Sequence, residues 1–92
     1  MQTFKELTTD WTFIMVREVD ENGNVVWGYK VDRVYVSEAL QSAWSFFSTI
    51  GEALLYADMY NFSKLVKAFD ERLLRACEEL PQKKKEPLFD NN

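Results

Sequence analysis

Val19-Asp20-Glu21-Asn22-Gly23-Asn24-Val25 joins two β-rich runs through an Asn-Gly step. Both residues tolerate the positive φ that a tight hairpin turn requires, so this stretch predicts where the chain folds back on itself. On its N-terminal side, residues 11–19 put Trp11, Phe13, Met15 and Val19 on one parity and Thr12, Ile14, Val16 and Glu18 on the other. On its C-terminal side, residues 25–36 put Val25, Trp27, Tyr29, Val31 and Tyr35 on one side and Gly28, Lys30 and Asp32 on the other. A period of two with this composition predicts two strands, one face of which turns inward.

The pattern changes after Val36. Ser37 is placed to cap a helix that opens at Glu38. From there Val36, Leu40, Ala43, Phe47, Ile50, Leu54 and Ala57 recur at spacings of three and four, an apolar helical stripe. Thr49 and Glu52 have capping-box spacing beside Gly51, which predicts a kink or break near that glycine. A second stripe, Phe62, Val66, Phe69, Leu73, Ala76 and Leu80, follows Asn61 as cap or turn residue and stops at Pro81. The expected architecture is therefore α+β: a two-stranded antiparallel hairpin followed by two or three amphipathic helices. Residues 1–80 form one domain, and 81–92 a flexible, lysine-containing C-terminal tail whose one apolar pair is Leu88-Phe89.

At 92 residues the chain holds one hydrophobic core, and its 47% apolar and 28% charged residues are those of a folding domain rather than a disordered one. No run of about 18 uncharged apolar residues exists, and the N-terminus lacks the order of a signal peptide, so no membrane association is expected. The lone Cys77 lies on the last apolar stripe and is expected to be a buried, inert thiol. Together these features predict a cytoplasmic protein. The chain has no histidine, which removes imidazole acid-base chemistry, Ser/His and Cys/His nucleophiles, and zinc sites built on Cys and His. The three glycines stand far apart at 23, 28 and 51, so no phosphate-binding loop is present. No catalytic, cofactor-binding or metal-binding residues are predicted, and a non-enzymatic role follows.

Charge narrows the partner. The net charge is -4, and residues 37–60 carry Glu38, Glu52 and Asp58 with no base. Nucleic-acid binding draws most of its affinity from a basic face, so direct binding to nucleic acid is disfavoured. The seven Phe, four Tyr and three Trp are many for so small an interior. Tyr and Trp are enriched at binding hot spots because they pair large apolar area with a polar handle. Leu55, Tyr56, Met59, Tyr60 and Phe62 make the 54–62 region apolar on more than one side and are the predicted partner-binding residues. Glu18, Asp20 and Glu21, around the hairpin tip, form a secondary acidic surface.

The segment Val36-Ser37-Glu38-Ala39-Leu40-Gln41-Ser42-Ala43-Trp44 resembles the Ser-Glu-Ala-Leu-x-x-Ala-Trp helix start of some very small proteins encoded by phages and other mobile elements, anti-CRISPR inhibitors among them. The resemblance covers nine residues and carries no functional residue with it. It implies a helix packed through Leu40 and Trp44, and a stoichiometric inhibitor of a host defence or regulatory protein acting in the host cytoplasm. The function expected from the sequence is thus a protein-binding module that blocks such a partner sterically. Two alternatives stand beside it: a structural protein that homodimerises through the 54–62 region and the last helix, and an acidic nucleic-acid mimic or nucleic-acid-associated regulator.

Overall fold

The Asn22-Gly23 turn lies where the sequence puts it, and two further strands are built around its hairpin. The computed structural model describes residues 2–89. The fold is α+β, in the order β1 (Thr3–Asp10), β2 (Phe13–Asp20), β3 (Val25–Asp32), α1 (Arg33–Gln41), α2 (Phe46–Tyr56), α3 (Met59–Ala68), α4 (Asp70–Glu79), a 3-10 turn (Gln82–Lys84) and β4 (Glu86–Pro87). The strands form one antiparallel sheet in the order β1-β2-β3-β4.

At the β2–β3 turn, Gly23 has φ 84° and Asp20 organises the loop: its carboxylate accepts from the Asn22 and Asn24 N–H groups at 2.9 Å each. A register shift between Glu18 and Val19 adds a bulge before the turn. The buried face of the hairpin is the one that carries Ile14 and Val16, paired directly with Val31 and Tyr29; all four are core residues. The core residues of the helices pack on that face. The opposite face carries Phe13, Met15 and Arg17, each half-buried.

Four strands and four helices replace the predicted two strands and two or three helices. The first strand expected, 11–19, begins two residues later, because Trp11 and Thr12 form the β1–β2 turn and Trp11 has φ 53°. The helical half starts earlier than Ser37. Asp32 is the N-cap of α1, accepting from the Val34 N–H at 2.9 Å, and Ser37 is a fully buried residue inside the helix.

The break expected at Gly51 falls instead at residues 42–45. There Ser45 caps α2 by accepting from the Phe47 N–H, and Gly51 lies within α2 against α1. Thr49 and Glu52 therefore sit inside α2, in no cap. Asp58, not Asn61, caps α3, and its carboxylate accepts from the Asn61 N–H at 2.8 Å. The second stripe bends at Phe69, which ends α3 and precedes α4 with φ -122° and ψ 34°.

The core joins Ile14, Val16, Tyr29 and Val31 of the sheet to Val36, Leu40, Ile50, Leu54, Phe62, Val66, Leu73, Ala76 and Cys77 of the helices. Arg33 ties its layers together. Its guanidinium donates to the carbonyls of Leu54 (3.1 Å) and Ala57 (2.7 Å), closing the C-terminus of α2, and lies 4.8 Å from the centre of the Phe62 ring.

The expected solvated tail is in part an ordered strap. Glu86 and Pro87 pair with Lys30 and Tyr29, and the Leu88 N–H donates to the Gly28 carbonyl at 3.0 Å. Gly28 leaves the room for this: a Cβ there would stand 2.8 Å from Leu88 Cδ1 and 2.7 Å from the Val16 carbonyl oxygen. The last three residues of the tail lie outside those described. Among the described residues no helix is long and apolar enough to cross a membrane.

Candidate protein-binding surface

Asp58 determines where this surface forms. Residues Tyr56 to Tyr60 make the corner between α2 and α3: Ala57 leaves helical geometry at ψ 141°, and the Asp58 cap starts the next helix in a new direction. A corner shares no face with the stripes on either side, so its large side chains turn outward. Tyr56 is 78% exposed, Met59 58% and Tyr60 67%. Leu55 is half-buried. Phe62 is fully buried beneath Arg33 and belongs to the core, which corrects its assignment to the binding surface. Its place on the second apolar stripe already pointed inward.

The residue that sequence reasoning missed is Trp11. Held at the β1–β2 turn in left-handed backbone and 70% exposed, it faces the first turn of α3. Thr9, Asp10, Trp11, Met59, Tyr60 and Ser63 line one groove of about 570 Å³ between turn and helix. Lys64 stands 4.2 Å over the Tyr60 ring, so a basic group adjoins the groove that Asp10 also lines. No local signal places Trp11 there, because 48 positions separate it from Met59 and only the tertiary fold joins them.

The acidic residues of the hairpin are not gathered into this groove. The Asp20 carboxyl is held below its ordinary value chiefly by the hydrogen bond from the Asn24 backbone, and its charge serves the turn. Glu18 accepts from the Thr3 hydroxyl at 3.4 Å, and Glu21 is exposed. Elsewhere, a groove of about 700 Å³ runs along Phe47, Phe69, Arg72 and Arg75, where Asp70 and Glu71 balance the two arginines. Phe46, Phe47 and Phe69 pack edge-to-face there at centroid distances of 5.4 to 6.0 Å. Phe46 remains 63% exposed within this cluster, while Phe47 and Phe69 are half-buried. A third, smaller hollow of about 410 Å³ gathers Lys30, Lys83, Lys84 and Lys85, with Lys84 4.6 Å over Tyr35 and Lys85 donating to the Glu78 carbonyl.

Inside the core, burial pushes the Cys77 thiol up to about 12 and the Tyr29 hydroxyl above its ordinary value, so both stay neutral at physiological pH. Cys77 is buried and unpaired. The packing implied for the 36–44 segment is half present: Leu40 is fully buried, whereas Trp44 lies past the end of α1 with φ 49° and is 95% exposed. The chain matches no known family, no curated protein and no solved structure.

Proposed function

We propose that this chain is a protein-binding module whose contact centre is the groove between Trp11 and Met59-Tyr60, extended by Tyr56. The observation that carries the reading is the convergence of Trp11, Met59 and Tyr60, each more than half exposed, from two elements far apart in sequence. Exposed apolar side chains cost solubility, and three gathered in one concave surface have the makeup of a hot spot: aromatic anchors, an apolar floor and a charged rim. In its narrower form the reading is that of an inhibitor occluding a host defence or regulatory protein, the role implied by the resemblance at 36–44. Trp44, facing solvent, then serves as a contact residue rather than a packing one.

Affinity purification from a bacterial lysate tests the proposal, run in parallel with the tagged wild type and a Trp11→Ala/Tyr60→Ala double variant. A stoichiometric partner retained by the wild type and lost by an equally folded double variant is the expected result. Recovery of no stoichiometric partner, or equal recovery by both chains, counts against it.

A further inference from the structure

β1 ends the sheet, and among the described residues no strand pairs with its outer edge. Thr3–Asp10 pairs with β2 without a register shift over its whole length, so no bulge twists it away. It contains no proline. Natural edge strands are shielded by such devices or by charged side chains standing over the edge. Here the two mid-strand charges are held by the chain itself. Lys5 bonds Glu78 of α4 on the helical side, and Glu6 bonds Arg17 of β2 on the open side. Among the described residues, Thr3–Asp10 makes no backbone hydrogen bond to anything but β2.

The polarity of the edge follows from the turn. Arg33 N–H donates to the Thr12 carbonyl, so Phe13, between them in the ladder, turns its own backbone groups away from β3 and toward Asp10. Counting back along β1, the backbone groups of Thr9, Leu7, Lys5 and Thr3 then point outward.

We infer that this edge pairs with the same edge of a second copy, antiparallel about a two-fold axis, joining two sheets into one of eight strands. The chemistry of the strand favours a copy of itself. With Leu7 opposite Leu7, Lys5 meets Thr9 of the other copy, and both pairs exchange backbone hydrogen bonds. The same register puts Thr8 opposite the other copy's Glu6 on the helix-free face. The Thr8 hydroxyl lies on that face, buried and without a hydrogen-bond partner among the described residues of the single chain. The base-bearing half of each strand also faces the Asp10 end of the other, whereas parallel pairing stacks like on like. A strand pair alone buries less than the roughly 800 Å² per partner of a standard interface, so the dimer is expected to dissociate in the micromolar range.

Sedimentation equilibrium of the full chain from about 1 to about 200 μM tests this. The expected result is a mass rising toward twice that of the chain, with amide-exchange protection at Leu7 and Thr9 rising in step. Lys5→Pro removes an outward N–H, and Thr8→Lys adds a charge to the edge. Each, if folded by circular dichroism, is expected to stay monomeric over the same range. Trp11→Ala/Tyr60→Ala is expected to dimerise normally, which separates this inference from the groove-binding proposal. A wild type monomeric throughout, or a dimer that persists in either folded edge variant, overturns it.

Discussion

The Ser37 hydroxyl donates a 2.6 Å hydrogen bond to the Gly51 carbonyl, joining α1 to α2 where a Cβ on Gly51 would stand 2.7 Å from the Ser37 carbonyl oxygen and 2.9 Å from Leu40 Cβ. Glycine in mid-helix ordinarily costs about 1 kcal/mol relative to alanine. Here that cost secures close contact between two helices and a partner for a buried hydroxyl.

Gly51→Ala is therefore expected to destabilise the fold in spite of alanine's higher helix propensity. Overpacking at a backbone contact costs about 1–3 kcal/mol, against a propensity gain of about 1 kcal/mol. Urea unfolding should give a net loss, and a variant more stable than wild type would refute the close-contact account.

Arg33 satisfies the last carbonyls of α2 from outside the helix. Arg33→Met keeps an apolar stem over Phe62 and loses both charge-assisted bonds, with an expected cost of about 2 kcal/mol. Arg33→Lys should recover only part of it, because an ammonium lacks the guanidinium fork. Equal stability of Arg33→Met and wild type in urea would show that water replaces the arginine without penalty.

Trp11 and Trp44 both sit in left-handed backbone, at φ 53° and 49°. Non-glycine residues pay about 1 kcal/mol for that conformation. Trp44→Gly, which removes a side chain almost wholly in water, is expected to raise stability by up to that amount. Trp11→Gly should also relieve strain and yet weaken partner capture, a trade of stability for function. Undiminished capture by Trp11→Gly would remove Trp11 from the binding surface.

Alkaline pH should destabilise the protein. Cys77 ionises near 12 in the native state against an ordinary value of 9.0, so between these limits the native state holds a proton that the unfolded chain has released. Stability from this group is complete below about pH 9 and is lost as pH rises through the native value. Tyr29, raised by burial, and Lys5, raised by its hydrogen bond to Glu78, act in the same direction. The expected loss from Cys77 is about 2 kcal/mol by about pH 10.5. A urea midpoint that is flat or rises from pH 9 to that point would contradict it, as would rapid native-state alkylation of Cys77 at about pH 8.

The hairpin was legible because Asn22-Gly23 is a local signal and the alternation around it is clean. β1 was not, since Phe4-Lys5-Glu6-Leu7 breaks any period of two and its turn to β2 is made by Trp11-Thr12, without Gly or Asn. The helical stripes were legible, but their breaks were not. Leu40, Phe47, Ile50 and Leu54 keep helical phase across residues 42–45, so periodicity alone reads α1 and α2 as one helix. Gly51 reads locally as an interruption, whereas its missing side chain is what lets α1 and α2 pack together. At the proposed binding surface, Tyr56, Met59 and Tyr60 fall off both stripes, whereas Trp11 is brought to Met59 and Tyr60 only by the fold. The C-terminal strand depends on Gly28 and Leu88, sixty residues apart, and has no local signature.

All three tryptophans, Trp11, Trp27 and Trp44, remain in contact with water, Trp27 least at 39% exposure. The indole emission of the native protein should therefore be red-shifted and open to acrylamide quenching, and unfolding should alter it little. The optical signal reads the surface of the molecule rather than its interior: a ligand that closes over Trp11 would shift the spectrum blueward, giving a label-free titration built into the chain.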